Sequence, residues 1–226
     1  MCSLNALSEK LLLAVKMIQP TESIVADLAH ASSDQLYGLK TDAQKLAFWV
    51  NIYNAFYQLR IHDKGVVREK VFHLKKIEIA GKKYSLDQIE HGILRRGKNK
   101  YTAGLFPIPF QYLALKSLRP TKLDHRIHFT LNCGVVSCPP IAFYNADQLD
   151  VQLDLATESY LSTSTKKDDL LQKVIVSRLF LWFYYDFGRK KGIKSILKKH
   201  QFSVPSSYKI VFSPYNRDQD LLNFRE

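Results

Sequence analysis

The chain of 226 residues has only three cysteines, Cys2, Cys133 and Cys138. So few cysteines, with no export signal before them, predict reduced thiols in a cytoplasmic protein rather than a disulfide framework. Cys2 follows no lipoprotein-type apolar segment, and we interpret it as an ordinary exposed thiol. No apolar run reaches the roughly 18 to 20 residues needed to cross a bilayer, so we expect no membrane span.

Acidic residues are also scarce: 21 Asp and Glu stand against 33 Lys and Arg, and the formal net charge is +12 at pH 7. This excess attracts anionic partners over roughly 8 to 10 Å at physiological salt. The basic residues are spread along the chain without a recognised basic-aromatic motif, so we expect no specific nucleic-acid binding. The expected partners are a small-molecule or peptide substrate, or an anionic partner.

Internal repeats and low-complexity linkers are missing too, and the length suits one sizeable domain. Helical patterns cover residues 4–18, 22–31, 42–61, 146–162 and 189–199, with a further helix starting at 85, and strand patterns cover 76–79, 82–85, 173–176 and 208–212. These patterns predict an α+β fold, a single domain of several helices packed around a small, mainly antiparallel sheet. We divide the chain into a helical N-terminal lead, 1–35, and the domain proper, 36–226.

The helix at 42–61 carries the clearest local signals. Thr41 and Gln44 have the spacing of a capping box. The body of the helix is apolar nearly all round, apart from a stripe formed by Asn51, Asn54 and Gln58 on one face. An unmade buried hydrogen bond costs roughly 1 to 3 kcal/mol, so buried amides here need defined partners.

The stretch RIHFTLNCGVVSCPP gathers two of the three cysteines and a histidine. Apolar and polar residues alternate from Ile127 to Asn132, which predicts a half-buried strand with His128 on its polar face. Pro139 disfavours helical geometry at Cys138. We expect this rigid corner to hold Cys138 at a surface, and Cys133, at the strand end, to lie in the core.

Four ordered blocks of the chain resemble the DUF547 family: Phe48–Ala55, Leu86–Arg95, His128–Pro140 and Phe180–Phe187. The resemblance spans roughly residues 36 to 220. The family name denotes a domain of unknown function, so the resemblance implies one continuous domain without supplying a reaction. It marks as motif positions Asn51, Asn54, His91, Arg95, His128, Asn132, Cys133, Ser137 and Cys138.

The first functional hypothesis is a cysteine-dependent hydrolase or acyltransferase acting on amide or ester bonds. A thiolate attacks only if a cation or an imidazole lowers its pKa from about 8.5. The catalytic assignments are Cys138 as nucleophile, His91 or His128 as base, and Asn51 or Asn54 as orienter of the imidazole. The binding assignments are Arg95, Asn132, Cys133 and Ser137, with the backbone amides of 134–137 stabilising an oxyanion. Asp186 is predicted to pair with Arg95 or a histidine.

Two alternatives belong to other classes. One is a zinc site made by His128, Cys133 and Cys138 with His91, although the spacing lacks a compact CxxC pair. The other is a non-catalytic binding or interaction module with a basic surface. In that module Asn51, Asn54 and Asn132 tie backbone groups together, and the cysteines only pack. We predict no cofactor, and no metal in the preferred site.

Overall fold

The computed structural model describes residues 3–61, 68–107, 112–202, 204–221 and 223–225, so the prediction for Cys2 lies outside the described residues. Its α-helices are α1 (Leu4–Lys16), α2 (Glu22–His30), α3 (Ser33–Tyr37), α4 (Asp42–Ile61), α5 (Arg68–Val71), α6 (Leu149–Ser164), α7 (Leu179–Trp182) and α8 (Arg189–Lys199). A π-helix covers Gln88–Leu94, and 3-10 helices cover Leu113–Leu118 and His125–Phe129.

The described strands form two small sheets. They are β1 (Ile77–Ile79), β2 (Lys82–Tyr84), β3 (Lys166–Asp168), β4 (Lys173–Val176) and β5 (Lys209–Phe212). β1 and β2 make an antiparallel hairpin, while the second sheet has the order β3-β4-β5, antiparallel in its first pair and parallel in its second. The predicted α+β class is confirmed. The sequence analysis missed β3 and expected a single sheet.

Helix α4 forms the centre of the main core. The predicted capping box is present, because Gln44 N donates to Thr41 Oγ1 at 3.1 Å and Thr41 N donates to Gln44 Oε1 at 3.1 Å. Every side chain from 46 to 58 is buried, which satisfies the expectation of a helix that is apolar nearly all round. Helix α1 packs against it and buries Leu11 and Leu12 completely. How far the lead at 1–35 is a separate unit stays a prediction.

A second, aromatic core lies between α6, α8 and the β3-β4-β5 sheet. Phe129, Phe180 and Phe187 are buried there, and their ring centroids lie 4.5 to 5.6 Å apart in tilted or edge-on pairs. Such pairs add to the free energy of area burial. Phe180 and Phe187 therefore close a core, as expected for the aromatic block.

The strand expected from Ile127 to Asn132 is wrong, because His125–Phe129 is a 3-10 helix. Asp124 starts it, and its Oδ1 accepts a hydrogen bond from Arg126 N at 2.9 Å. All residues from 127 to 132 are buried, polar and apolar alike. The alternating pattern therefore does not reflect one core face and one solvent face.

The helix expected from residue 85 is present, but it continues as a π-helix. Its predicted capping box joins Ser85 and Gln88 by hydrogen bonds of 3.1 and 3.2 Å. At its end Arg95 N donates to Glu90 O at 2.7 Å, five residues back. A π-helix is rare and occurs frequently at functional sites. Here it brings the side chains of His91 and Arg95 into contact.

Candidate functional site

Charged and imidazole side chains from distant parts of the chain meet in one buried group. We call it the ionic cluster, made of Glu90, His91, Arg95, His128 and Asp186. At its centre, Asp186 Oδ2 accepts hydrogen bonds from Arg95 Nε at 2.6 Å and from His128 Nε2 at 3.0 Å. The side chains of Arg95 and Asp186 are fully buried. The prediction for Asp186 is confirmed, since it pairs with both an arginine and a histidine.

Both imidazoles of the ionic cluster are neutral near neutral pH. Arg95 Nη1 donates to His91 Nδ1 at 2.9 Å, so this nitrogen carries no proton. Burial, and then the charge of Arg95, lower the pKa of His91 to about 3. Burial also lowers the pKa of His128 to about 4, although its hydrogen bond to Asp186 opposes the shift. Neither ring therefore supplies the positive charge that would activate a thiol.

The pKa values of the two carboxylates of the cluster are shifted in opposite directions. Burial favours the neutral form of Asp186, but its bonds to His128 and Arg95 outweigh burial and hold its pKa at about 2. The permanent charge of Arg95 is the stronger cause, because His128 is neutral. Burial raises the pKa of Glu90, whose Oε2 accepts from Tyr53 Oη at 3.3 Å. The Arg95–Asp186 ion pair lies at the centre of the cluster.

A loop covers the ionic cluster. A Cβ at Gly104 would collide with Asp186 Oδ1, so this close approach requires glycine. Lys98 Nζ donates to Gly104 O at 2.9 Å and lies 3.8 Å from Asp186 Oδ1. Beneath the loop, Arg95 Nη2, His128 Nδ1 and Asp186 Oδ1 are buried without a hydrogen-bond partner among the described residues.

Asn51 joins α4 to the backbone that follows the cysteines. Its Nδ2 donates to Tyr144 O at 2.7 Å, and its Oδ1 accepts from Tyr144 N at 3.1 Å. The side-chain amide of Asn51 therefore makes the same two hydrogen bonds to Tyr144 that the backbone of a neighbouring β-strand would make. Both of its amide atoms hydrogen-bond to the backbone of Tyr144, and its assignment as orienter of an imidazole stays a prediction.

Asn54 and Asn132 form a second backbone clamp. Asn54 Nδ2 donates to Thr130 O at 2.9 Å, and Asn54 Oδ1 accepts from Asn132 N at 3.0 Å. Asn132 in turn donates to Pro139 O at 2.8 Å and accepts from Gly134 N at 2.7 Å. Both amides thus fix the segment that carries the cysteines, and the assignment of Asn54 as orienter stays a prediction.

The two cysteines of this segment form a disulfide, with their Cα atoms 6.0 Å apart. We call residues 133–138 the disulfide loop. The expectation of reduced thiols is therefore wrong for this pair, and the predicted exposures are reversed: Cys133 is partly exposed and Cys138 is 3% exposed. The chain turns sharply at Gly134, so Cys138 folds back beneath Cys133, whose N–H lies 3.0 Å from Cys138 Sγ.

The sulfurs and the imidazoles belong to different groups of contacts. Tyr215 Oη lies 3.3 Å from Cys138 Sγ and 3.6 Å from Cys133 Sγ. The imidazoles of His91 and His128 contact the carboxylates and Arg95 of the ionic cluster instead. The predicted contact between imidazole and sulfur is not observed among the described residues.

The zinc alternative is also not supported. Sulfurs bonded to each other are not thiolate ligands, and Nε2 of His128 is engaged by Asp186. The described residues contain no group of three or more metal-binding side chains. The proposed fourth ligand, His91, is turned to Arg95.

The backbone amides expected to stabilise an oxyanion are largely occupied. Gly134 N donates to Asn132 Oδ1, Val136 N to Asp218 O at 3.0 Å, and Ser137 N to Asn216 O at 3.3 Å. The bonds from Val136 and Ser137 attach the disulfide loop to Asp218 and Asn216. They leave no array of free donors at 134, 136 and 137.

A cavity of about 610 Å³ lies beside the disulfide loop. Its wall includes Ser137, Cys138, Tyr160, Lys166, Ser213 and Tyr215. This volume falls within the roughly 300 to 1,000 Å³ of small-molecule sites. The predicted site residues thus separate into a sealed ionic cluster and a loop that borders an open cavity.

The structure is an α+β domain whose signature residues form a buried ionic cluster and an asparagine-clamped disulfide loop. A sequence model described as "Protein of unknown function, DUF547" matches residues 37–161, and the chain belongs to this family. The block Phe180–Phe187 lies beyond the matched range, so the extension of the domain to 226 stays a prediction. No curated protein and no solved structure matches the chain.

None of the helices among the described residues has the length and apolar character required to cross a membrane. The cytoplasmic location stays a prediction, and the disulfide removes the argument from reduced cysteines, since disulfides are typical of oxidising compartments.

Sequence reasoning missed most of the cavity wall, including Lys166 and Tyr215. Lys166 was interpreted only as one of many surface lysines, because β3 is too short to give a strand pattern. Tyr215 follows a proline in a segment without regular structure. No local pattern links it to cysteines about eighty residues earlier.

Proposed function

We propose that the chain is a non-catalytic binding module with a basic surface, and that it takes a small anionic ligand in the cavity beside the disulfide loop. The observation that carries this proposal is the cavity, whose wall offers polar groups that the fold itself does not use. By contrast, the asparagines that suggested catalysis hydrogen-bond to backbone, the two cysteines are bonded to each other, and the two imidazoles are buried.

The charge of the cavity wall selects the class of ligand. Of the described residues in the wall, Lys166 alone is charged, and it is exposed and forms no ion pair with a described residue. The hydroxyls of Ser159 and Ser213, also in the wall, make no hydrogen bond to a described side chain or backbone group. A lysine and free hydroxyls suit carboxylate or phosphate oxygens.

Charge outside the cavity favours the same class. Helix α8 presents Arg189, Lys190, Lys191 and Lys198 on its exposed side, and no acidic residue lies in this helix. The net charge of +12 raises the local concentration of anions around the molecule. Lys166 then supplies the short-range contact.

A ligand screen tests the proposal. Inorganic phosphate, pyrophosphate, citrate and acetate are added to the protein, and the unfolding midpoint is followed, since a ligand that binds only the native state raises it. We expect at least one anion to raise the midpoint, and Lys166→Met to weaken its binding at least about tenfold, because the bond to a charged group is lost.

Lys167→Met is the matched control, because Lys167 follows in β3, points to the opposite face and pairs with Asp169 at 2.8 Å. Binding that persists unchanged in Lys166→Met, or no binding of any of these anions, would contradict the proposal.

A second candidate is the cysteine-dependent hydrolase or acyltransferase on amide or ester bonds. One observation favours it: Cys133 N–H and Tyr215 Oη both lie within hydrogen-bond reach of Cys138 Sγ, at 3.0 and 3.3 Å. Hydrogen bonds to a thiolate lower its pKa. Cys138 can attack only after the disulfide is reduced, and the hydrogen-bond partners of His91 and His128 are Arg95 and Asp186 rather than a sulfur.

Reaction of the reduced protein with p-nitrophenyl acetate tests this second candidate. It predicts an acetyl adduct on Cys138, found by peptide mass spectrometry, that forms faster than with an ordinary thiol at neutral pH. The adduct should persist in Cys133→Ser and vanish in Cys138→Ser. Failure of reduced wild-type protein to acetylate at Cys138 would remove the hydrolase.

A further inference from the structure

The disulfide loop places its two sulfurs in unequal surroundings. Cys133 is partly exposed, whereas Cys138 is 3% exposed and lies in the wall of the cavity. We propose that the Cys133–Cys138 disulfide is a site of thiol–disulfide exchange that oxidises thiol substrates. This activity goes beyond the proposed binding function and does not depend on it.

The difference in exposure decides which sulfur is attacked. A thiolate must approach the disulfide directly, so access selects among the sulfurs. Cys133 is the accessible one, and Cys138 is therefore the leaving group. The reduced Cys138 then lies beneath Cys133, where it can attack a mixed disulfide and restore the bond.

The surroundings of Cys138 stabilise it as a leaving thiolate. Cys133 N lies 3.0 Å from its Sγ and Tyr215 Oη lies 3.3 Å from it. Both groups can donate to a negative sulfur, and a more stable leaving thiolate departs faster. The ring of Trp182 packs on Tyr215 with centroids 4.5 Å apart, which holds the hydroxyl in place.

The exchange balances without any further reactant. A substrate thiolate attacks Cys133 Sγ, a bond forms between these two sulfurs, and the disulfide bond breaks with its electron pair on Cys138. A second substrate thiolate attacks the substrate sulfur of the mixed disulfide and releases Cys133. Two thiols are thereby oxidised to one disulfide, the cysteine pair gains two electrons, and the two substrate protons end on the cysteines.

The clamp around the loop keeps the reduced pair together. Asn132 holds both ends of the loop through Gly134 N and Pro139 O, and Asn54 fixes Asn132. Val136 is bonded to Asp218 as well. These bonds do not involve the sulfurs, so we expect them to survive reduction and to hold Cys138 close enough to attack a mixed disulfide on Cys133.

The experiment uses the full chain with Cys2→Ser, so that only this pair reacts. The oxidised protein is mixed with reduced glutathione, quenched with acid, alkylated and mapped by mass spectrometry. We expect glutathione on Cys133, a free Cys138, and a reduction rate that falls about tenfold in Tyr215→Phe, because one donor to the leaving sulfur is lost. Tyr101→Phe, at a tyrosine that is 83% exposed, is the matched control and should keep the rate.

Two further variants make the order of attack testable. Cys138→Ser should accumulate the mixed disulfide on Cys133 when treated with oxidised glutathione, and Cys133→Ser should react much more slowly. A disulfide that resists glutathione, preferential attachment to Cys138, or equal rates in Tyr215→Phe and Tyr101→Phe would each overturn the proposal. Glutathione carries carboxylates of its own, so the reduction is repeated with 2-mercaptoethanol, an uncharged thiol, and exchange with this thiol does not depend on anion binding in the cavity.

Discussion

Asp186→Asn is expected to lower the free energy of unfolding by about 3 to 5 kcal/mol, because it leaves the charge of Arg95 buried and unpaired. Both side chains are fully buried, and their contact is 2.6 Å. His128 is neutral and Lys98 has the wrong sign, so neither compensates for the lost carboxylate. Urea unfolding of both proteins at neutral pH, followed by circular dichroism, measures the difference.

Asp168→Asn is the matched control. Asp168 pairs with Lys173 at 3.4 Å on the partly exposed edge of the second sheet, and its loss should cost less than about 1 kcal/mol. The double variant Arg95→Met with Asp186→Leu should be more stable than Asp186→Asn, because it removes both charges. If Asp186→Asn lowers the free energy of unfolding no more than Asp168→Asn does, a desolvated ion pair does not hold the cluster together.

Acidification below neutrality is expected to destabilise the protein through His91 and His128. Their pKa values are about 3 and about 4 in the native state, against 6.5 in a solvated chain. Below pH 6.5 the two imidazoles are therefore protonated in the unfolded chain but not in the native state. Their contribution to the free energy of unfolding is fully present above this pH and is lost as the pH falls toward 4. Each imidazole contributes a slope of up to about 1.4 kcal/mol per pH unit.

Urea unfolding at a series of pH values between about 7 and 5 measures this slope. His91→Gln and His128→Gln should each reduce it, whereas His30→Gln, at an exposed residue of α2, should leave it unchanged. Proton NMR of the native protein gives a direct readout. The imidazoles of His91 and His128 should keep the chemical shifts of the neutral ring throughout this range. A wild-type protein in which every histidine titrates near 6.5 would contradict their lowered pKa values.

Local patterns predicted the parts of the fold that depend on neighbouring residues. The capping boxes at Thr41 and Ser85 and the all-round burial of α4 follow from residues within a few positions of one another. The strand expected from Ile127 failed because six alternating residues also suit a fully buried 3-10 turn. Whether these residues form a strand or a 3-10 turn depends on how the rest of the chain buries them, and a local sequence pattern does not contain that information.

The site was harder to predict, because its contacts span long stretches of sequence. The resemblance marked His91, His128 and Arg95, which the structure brings into one cluster, but the partner of His128 is 58 residues away at Asp186. The asparagines looked available for catalysis until their backbone partners were known. The spacing of Cys133 and Cys138 did not distinguish thiols from a disulfide, since that depends on how the turn at Gly134 folds.

Backbone hydrogen bonds join Asp218, Asn223 and Arg225 to earlier parts of the chain, and they limit how far an expressed fragment can be shortened at its C-terminal end. Ile141 N donates to Asn223 O, Arg225 N donates to Ile141 O, and Val136 N donates to Asp218 O, all within 3.0 Å. A fragment cut to the matched range 37–161 would lose these strand-like bonds, and also the carboxylate of Asp186 that neutralises Arg95. We therefore expect a fragment limited to the matched range to fold less stably than one that also contains these partners.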